Sequence, residues 1–436
     1  MCVLELPGDA LCRFRGSWAG EPGVGGCGIV IADRDDQGQE PWLGEPGGSD
    51  ADGRRRCGDH VAAQHRAAQA NGVGRSERLH RDSRERLRER FRERAGIHAA
   101  TVLAVMAWPL ACAPRATGPI SFAGATMGTT YLVRVSGLPG GRSRESMAGD
   151  VAAIAERIDA TMSTYRPTSD VARFNARRDE DWAPVSDEVV TVVEEALALG
   201  RLSGGAFDIT VGPLVDLWGF GPTVRPPVVP LPAALVAARA RVGQGRLDTR
   251  RSPPALRKRQ ADIEIDLSGI AKGYAVDSVA EHLTAVGVSD FLVEIGGEVR
   301  AAGTSPEGGP WRVGIEQPPG TAVAHVVNLA AGALATSGDY RSFFEQDGAR
   351  YSHAIDPRSG WPARHDLASV SVLDASTARA DGLATTFMVL GPEAGRALAE
   401  REGIPVLFVI REGDGFREET TPAMRAALAG APVLLR

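Results

Sequence analysis

The chain has 436 residues, enough for one large domain or two medium ones, and a formal net charge of −6. All five cysteines fall within the first 112 residues, which excludes a thiol nucleophile, a cysteine zinc site and an iron–sulfur cluster from everything downstream. Nine arginines against five acids crowd residues 75–94, so the rest is more acidic than the total suggests and a poor match for nucleic acid.

Residues 1–95 are rich in Gly, Arg and Asp, poor in aliphatic runs and without an amphipathic period of useful length. They read as a disordered or spurious N-terminal extension. Residues 96–112 read as a signal: an apolar run from Ile97 to Ala111 follows the Arg-rich stretch and ends in Leu110-Ala111-Cys112. The run is too short for a comfortable membrane span. With Cys112 at the new N-terminus it resembles a bacterial lipoprotein signal, although Pro109 stands where an aliphatic residue is usual. The expectation is an exported protein, lipid-anchored at Cys112 on the periplasmic face, with a soluble periplasmic form as the alternative. The absence of downstream cysteines suits an oxidising compartment. The competing view, a buried helix of a cytoplasmic domain, is weakened because nothing amphipathic precedes the run.

A folded domain is expected over 118–436. Ser121 to Val135 reads as two β-rich runs joined near Met127-Gly128. Ser146 to Thr161 and Asp187 to Ser203 have helical spacing, and Ser163 to Pro167 forms a loop that Pro167 keeps from continuing the helix. Residues 222–255, with seven prolines, read as an excursion with a short helix from Ala233 to Val242. Ile263, Ile265 and Leu267 alternate like a half-buried strand. The pattern breaks at Ser268-Gly269 and an amphipathic helix opens at Ala271, a start suited to receiving phosphate. Strands follow at 291–295, 311–315, 323–329 and 370–373, then helices at 376–390 and 393–402 and a closing strand at 406–410. Strands are not regularly followed by crossover helices. That favours α+β, with mixed, largely antiparallel sheets, over a doubly wound parallel sheet.

Asp381 and Thr385 stand four apart in a helical run and share one face, where a hard cation could sit. Isolated from other signals, such a pair is more often solvated surface. Gly382 and Ala384 between them let the helix lie close to a neighbour. Lys272, in the first turn of its helix, opposes the helix dipole unless an anion lies nearby; otherwise it snorkels over the helix start. Gly204-Gly205 lets backbone approach a ligand before Ala206-Phe207-Asp208. Tyr165 in its loop offers a stacking face, whereas Met127, Phe207 and Trp218 are equally suited to core packing. A Ser352/His353/Asp356 triad is disfavoured because neighbouring strand residues point to opposite faces.

These segments, in this order, resemble the ApbE-type flavin transferase family. The match runs through Met127-Gly128-Thr129, Ser163-Thr164-Tyr165, Gly204 to Thr210, Asp266 to Tyr274 and Glu294 to Glu298. It continues through Ala335 to Tyr340, Ser352 to Pro357 and Asp381 to Thr385, about residues 118–412 in all. The resemblance implies a single domain with helices around a central FAD cleft, and transfer of FMN from FAD to a Ser or Thr of a partner protein. It implies Mg²⁺ held by Asp381, Thr385 and the carbonyl of Gly269, a set of hard oxygens that suits this ion. Asp266 and Lys272 would contact FAD, with Lys272 at the diphosphate. Met127, Tyr165, Ala206, Phe207 and Asp208 would surround its rings, and Ser352 and His353 would lie beside it. Asp381 would also accept the proton of the attacking hydroxyl, and the acceptor would belong to a membrane redox complex. An FAD pyrophosphatase giving FMN and AMP, and a non-catalytic FAD-binding lipoprotein, are the alternatives. An oxidoreductase is disfavoured, since no GxGxxG follows a strand and no P-loop is present.

Overall fold

The computed structural model describes residues 29–31, 120–223, 225–319 and 322–430. The readings of the 96–112 segment and of Cys112, and nearly all of the 1–95 stretch, lie outside the described residues. No helix among the described residues is long and apolar enough to cross a membrane.

An eight-stranded sheet organises the domain. From one edge to the other it runs Gly415–Thr420, Val406–Glu412, Leu367–Asp374, Ala331–Gly338, Glu298–Ala302, Phe291–Ile295, Thr129–Val135 and Ile120–Thr126. Every neighbouring pair is antiparallel, as the α+β reading requires. Side-chain alternation then divides the core into two faces. Val133, Val293, Val406 and Phe408 join one apolar cluster, with helices Arg144–Met162, Asp187–Leu202, Ala271–Ala285 and Thr377–Glu402 packed on it. Leu132, Leu292, Leu407 and Val409 join the other. That second face is covered by strands Trp311–Gln317 and Ala322–Leu329, with Met424 of helix Pro422–Leu428. Residues 29–31 pair antiparallel with Trp311–Gln317.

The first hairpin turns at Met127 and Gly128, both with positive φ (49° and 71°), the conformation a two-residue turn between twisted strands favours. Ser143 and Ser186 cap their helices through their hydroxyls. The run from Thr377 to Glu402 is interrupted at Gly391 (φ 79°, ψ 177°) before Pro392, so the two expected helices are present end to end. Strand Val406–Glu412 does not close the domain; Gly415–Thr420 pairs with it and a last helix follows.

The segment around Ile263 corrects the strand reading. Ile263, Ile265 and Leu267 are buried as the alternation implies, yet they join no sheet ladder. The backbone of Ile265 is instead clasped by one side chain. Asn175 Nδ2 donates to its carbonyl at 2.8 Å, and its N–H donates to Asn175 Oδ1 at 2.8 Å. Asn175 lies in helix Asp170–Ala176, which the sequence reading did not anticipate; helix Gly212–Leu217 is likewise additional.

The end of the 170–176 helix rests on a buried lysine. Lys258, 1% exposed, donates from Nζ to the carbonyl of Arg177 at 2.8 Å and lies 4.8 Å from the Phe174 ring centroid. Burial pushes its ammonium down to about 8 from 10.5. Between those values the unfolded chain holds the proton that the folded chain has released, so stability rises with pH across that window. Urea midpoints should climb from about pH 7.5 to about pH 9.5 in the wild type relative to Lys258→Met. Parallel profiles for the two proteins would contradict this assignment.

Candidate active site

The deepest part of the site lies where two helices start against each other. Helix Ala271–Ala285 begins after Ile270, whose side chain supplies no cap. The backbone N–H of Gly273 donates instead to Asp381 Oδ2 at 3.0 Å, so the helix start expected to receive phosphate already holds a carboxylate of its own chain. Only glycine fits at 273, since a Cβ there would lie 2.3 Å from the carbonyl oxygen of Thr377. Thr385, one turn beyond Asp381, brings Oγ1 to 3.5 Å from the carbonyl oxygen of Gly269. Asp381, Thr385 and Gly269 therefore converge on one pocket wall. Gly382 lets this happen: a Cβ there would lie 2.3 Å from Leu199 Cδ1.

Lys272 sits between two carboxylates. Its Nζ is 3.3 Å from Glu298 Oε1 and 3.7 Å from Asp381 Oδ1. The dipole conflict at this helix start is thus answered within the protein. Glu298 and Asp381 are each 2% exposed. Burial raises the carboxyl of Glu298 well above the usual range and raises that of Asp381, with Lys272 pulling both down. Glu298 Oε2 is buried and accepts no hydrogen bond, a costly arrangement that a donor or cation entering the pocket would relieve. Glu298 was not singled out from the sequence. In the sequence it closes the motif run Glu294 to Glu298, directly after Gly296-Gly297, whose positive φ values (62° and 105°) turn the chain back into the sheet.

The other anticipated residues divide. Tyr165, 57% exposed, stands at the pocket rim, while Ala206, Phe207, Asp208 and Asp266 line its wall. Both of those carboxylates brace backbone. Asp208 accepts from the N–H groups of Thr210 (2.8 Å) and Gln244 (3.0 Å), and Asp266 accepts from that of Ser268 (2.8 Å). His353 also lines the pocket. Its Nδ1 donates to the carbonyl of Ser342 at 3.1 Å, leaving the lone pair of the neutral ring on Nε2, and burial lowers its pKa. Two residues do not reach the pocket wall. Met127 occupies the hairpin turn and packs on the core, and Ser352 is buried at the end of strand Ala349–Ser352. Trp218 is core, stacked on Tyr351 with ring centroids 5.5 Å apart. No triad forms, because both oxygens of Asp356 are gripped by Arg358 at 2.9 Å.

Four carboxylates and one lysine line the pocket: Asp208, Asp266, Glu298 and Asp381 against Lys272. An anionic ligand entering such a wall requires a counter-cation. No group of three or more His, Cys, Asp or Glu side chains among the described residues is placed to hold a metal ion. A cation would therefore draw on mixed donors. The carboxylate of Asp381, the hydroxyl of Thr385 and the carbonyl of Gly269 are hard oxygens, and the orphaned Oε2 of Glu298 adds negative potential; the set fits Mg²⁺ completed by water or phosphate oxygens.

The model of the ApbE family matches residues 127–408, spanning all of these elements. The chain belongs to the ApbE family. Relatives include an FAD:protein FMN transferase of Vibrio cholerae, 44% identical over 312 residues (71% of this chain, 93% of the relative). Another, of Haemophilus influenzae, is 40% identical over 333 residues (74% and 96%). Among solved structures, the apo Pseudomonas stutzeri flavinyl transferase ApbE is 47% identical with a TM-score of 0.67, covering 72% of this chain and 98% of its own. The flavin transferase ApbE from Vibrio cholerae has the same TM-score at 42% identity, covering 71% and 99%.

The close approach at Gly269 yields a direct test of the cation donors. A Cβ at 269 would lie 3.3 Å from both Oγ1 and Cγ2 of Thr385 and 3.4 Å from Phe207 Cε2, so the threonine would have to shift slightly away from the carbonyl. Gly269→Ala should weaken Mn²⁺ binding by roughly 10-fold, followed by electron paramagnetic resonance, with thermal stability nearly unchanged. Unaltered Mn²⁺ affinity in the folded variant would remove Gly269 and Thr385 from the donor set.

Proposed function

We propose that this chain transfers the FMN part of FAD to a Ser or Thr hydroxyl of a partner protein, releasing AMP, with Mg²⁺ as the required cation. The observation that carries the reading is the convergence of Asp381, Thr385 and Gly269 beside Lys272 in an acid-walled pocket. The relatives named FAD:protein FMN transferase support it.

In this reading the acceptor hydroxyl oxygen forms a new bond to the FMN-side phosphorus. The anhydride bond to the AMP phosphate breaks and AMP departs with the bond electrons. A hydroxyl is a weak nucleophile, so positioning and charge complementarity supply most of the rate. Asp381, Thr385 and the carbonyl of Gly269 would hold Mg²⁺, which supplies charge neutralisation at the diphosphate when bound. Lys272 adds a second positive charge on the same side, with Glu298 anchoring its ammonium. Asp381 would also take the hydroxyl proton as the new bond to phosphorus forms. Tyr165 and Phe207 offer faces for the ring systems at the rim and wall, and neutral His353 offers an acceptor nitrogen to a ligand N–H or O–H. The apolar run ahead of Cys112 supports export with a lipid anchor, where the enzyme would meet membrane redox subunits.

Incubation with FAD, Mg²⁺ and an acceptor domain should give flavin that survives denaturation and adds the mass of an FMN phosphoryl group. Asp381→Ala should slow this at least about a hundredfold. FMN and AMP released at the same rate without acceptor would instead make the protein a hydrolase. Tight FAD binding with no turnover under any cation would make it a flavin carrier.

A further inference from the structure

The helix that carries Asp381 and Thr385 is held by a carboxylate that does not line the pocket. Asp277 lies in helix Ala271–Ala285, 6% exposed, and its two oxygens accept four hydrogen bonds. Oδ1 accepts from the N–H of Thr377 at 3.0 Å and from Arg300 Nη1 at 2.6 Å. Oδ2 accepts from the N–H of Ala378 at 3.0 Å and from Ser376 Oγ at 2.8 Å. Ser376 in turn accepts from the N–H of Arg379 at 3.2 Å. The first three N–H groups of the helix are thereby satisfied, two of them by a residue of another helix. Asp381 returns the arrangement by accepting from Gly273 in the first turn of the helix that bears Asp277. Each helix start is closed by an aspartate of the other.

We propose that Asp277 is a positioning residue that sets the affinity of the site for its divalent cation without touching it. The proposal rests on the cation reading above. Asp381 follows Thr377 by about one helical turn, so a displacement of the helix start passes to the carboxylate with little attenuation. Asp381 Oδ2 is committed to Gly273, which leaves Oδ1 to face the ion; its place depends on how the two helices are clamped. Mg²⁺ tolerates little departure from near-ideal octahedral distances. Loss of the Asp277 charge would leave two helix N–H groups and the buried side of Arg300 poorly matched, and the start of the helix would relax outward.

The test is direct cation binding by the intact chain, with Mn²⁺ followed by electron paramagnetic resonance and Mg²⁺ by competition. Asp277→Asn, which keeps the shape and removes the charge, should weaken Mn²⁺ binding by about 10- to 100-fold. Ser376→Ala, which removes one arm of the clamp, should weaken it by roughly threefold. Turnover of Asp277→Asn should recover at high Mg²⁺ with the KM for FAD little changed, a split that general loss of stability would not produce. Met424→Ala, on the opposite face of the sheet, should lower stability and leave Mn²⁺ affinity at the wild-type value. Wild-type Mn²⁺ affinity in folded Asp277→Asn would overturn the proposal. If Asp277→Asn does not fold, wild-type affinity in Ser376→Ala would overturn it instead. Failure of the wild type itself to bind Mn²⁺ would defeat the cation reading rather than this one.

Discussion

The architecture depends on the mutual closure of two helix starts at one crossing. A helix N-terminus presents unpaired N–H groups and a partial positive charge, and burying it unanswered is costly. Here both starts are buried against the same sheet face, and each is answered by an aspartate from the other helix. The contact demands glycine at 273, where any side chain would strike the backbone of Thr377. Packing, capping and the placement of Asp381 are thus one event. A change in any of the three is felt by the other two.

The same crossing explains why the site is electrostatically poised. Strand Glu298–Ala302 turns Val299 and Ala301 toward the second core, so Glu298 and Arg300 point to the helix side. Arg300 reaches Asp277 and Glu298 reaches Lys272, so one strand holds two charged partners for helix Ala271–Ala285. The signs are opposite. At Asp277 the carboxylate is met by a guanidinium and three further donors and needs nothing more. At Glu298 and Asp381 two buried carboxylates are within reach of the same ammonium, and Glu298 Oε2 accepts no hydrogen bond. The closed pair is structural, and the open pair is where a ligand gains most by entering.

The sequence carried the elements whose signals are local. The hairpin about Met127-Gly128, the serine-capped helices and the shared face of Asp381 and Thr385 each follow from a few consecutive residues. Burial without a ladder misled at Ile263 to Leu267, because alternation reports which side chains are inside and not what satisfies the backbone; Asn175, far away in the chain, does that. Strand Gly415–Thr420 is largely exposed and so left no apolar pattern to find. Helices of six and seven residues at 212–217 and 170–176 are too short for periodicity to register. The motif run Glu294 to Glu298 ends on Glu298 without assigning it a role, and nothing local points to Asp277; what these two carboxylates do arises only when the two helices and the strand meet.

A hard cation at this site would have few charged ligands. Mg²⁺ binding by one carboxylate, one hydroxyl and one carbonyl is weak unless the donors are held in place before the ion arrives. The carbonyl of Gly269 belongs to a turn between an extended segment and a helix, so its stiffness has to come from what flanks it. The turn is fixed from both sides. Upstream, Asn175 clasps Ile265 and Asp266 accepts from Ser268; downstream, Asp381 caps the helix that the turn opens. The buried ammonium of Lys258, set against the carbonyls that end the Asn175 helix, extends this bracing to the small sheet of strand Pro254–Lys258. Donors from two distant segments would then behave as a preformed site, because Asp381 and the turn at Gly269 are held by hydrogen bonds to Gly273, Asn175 and Asp266.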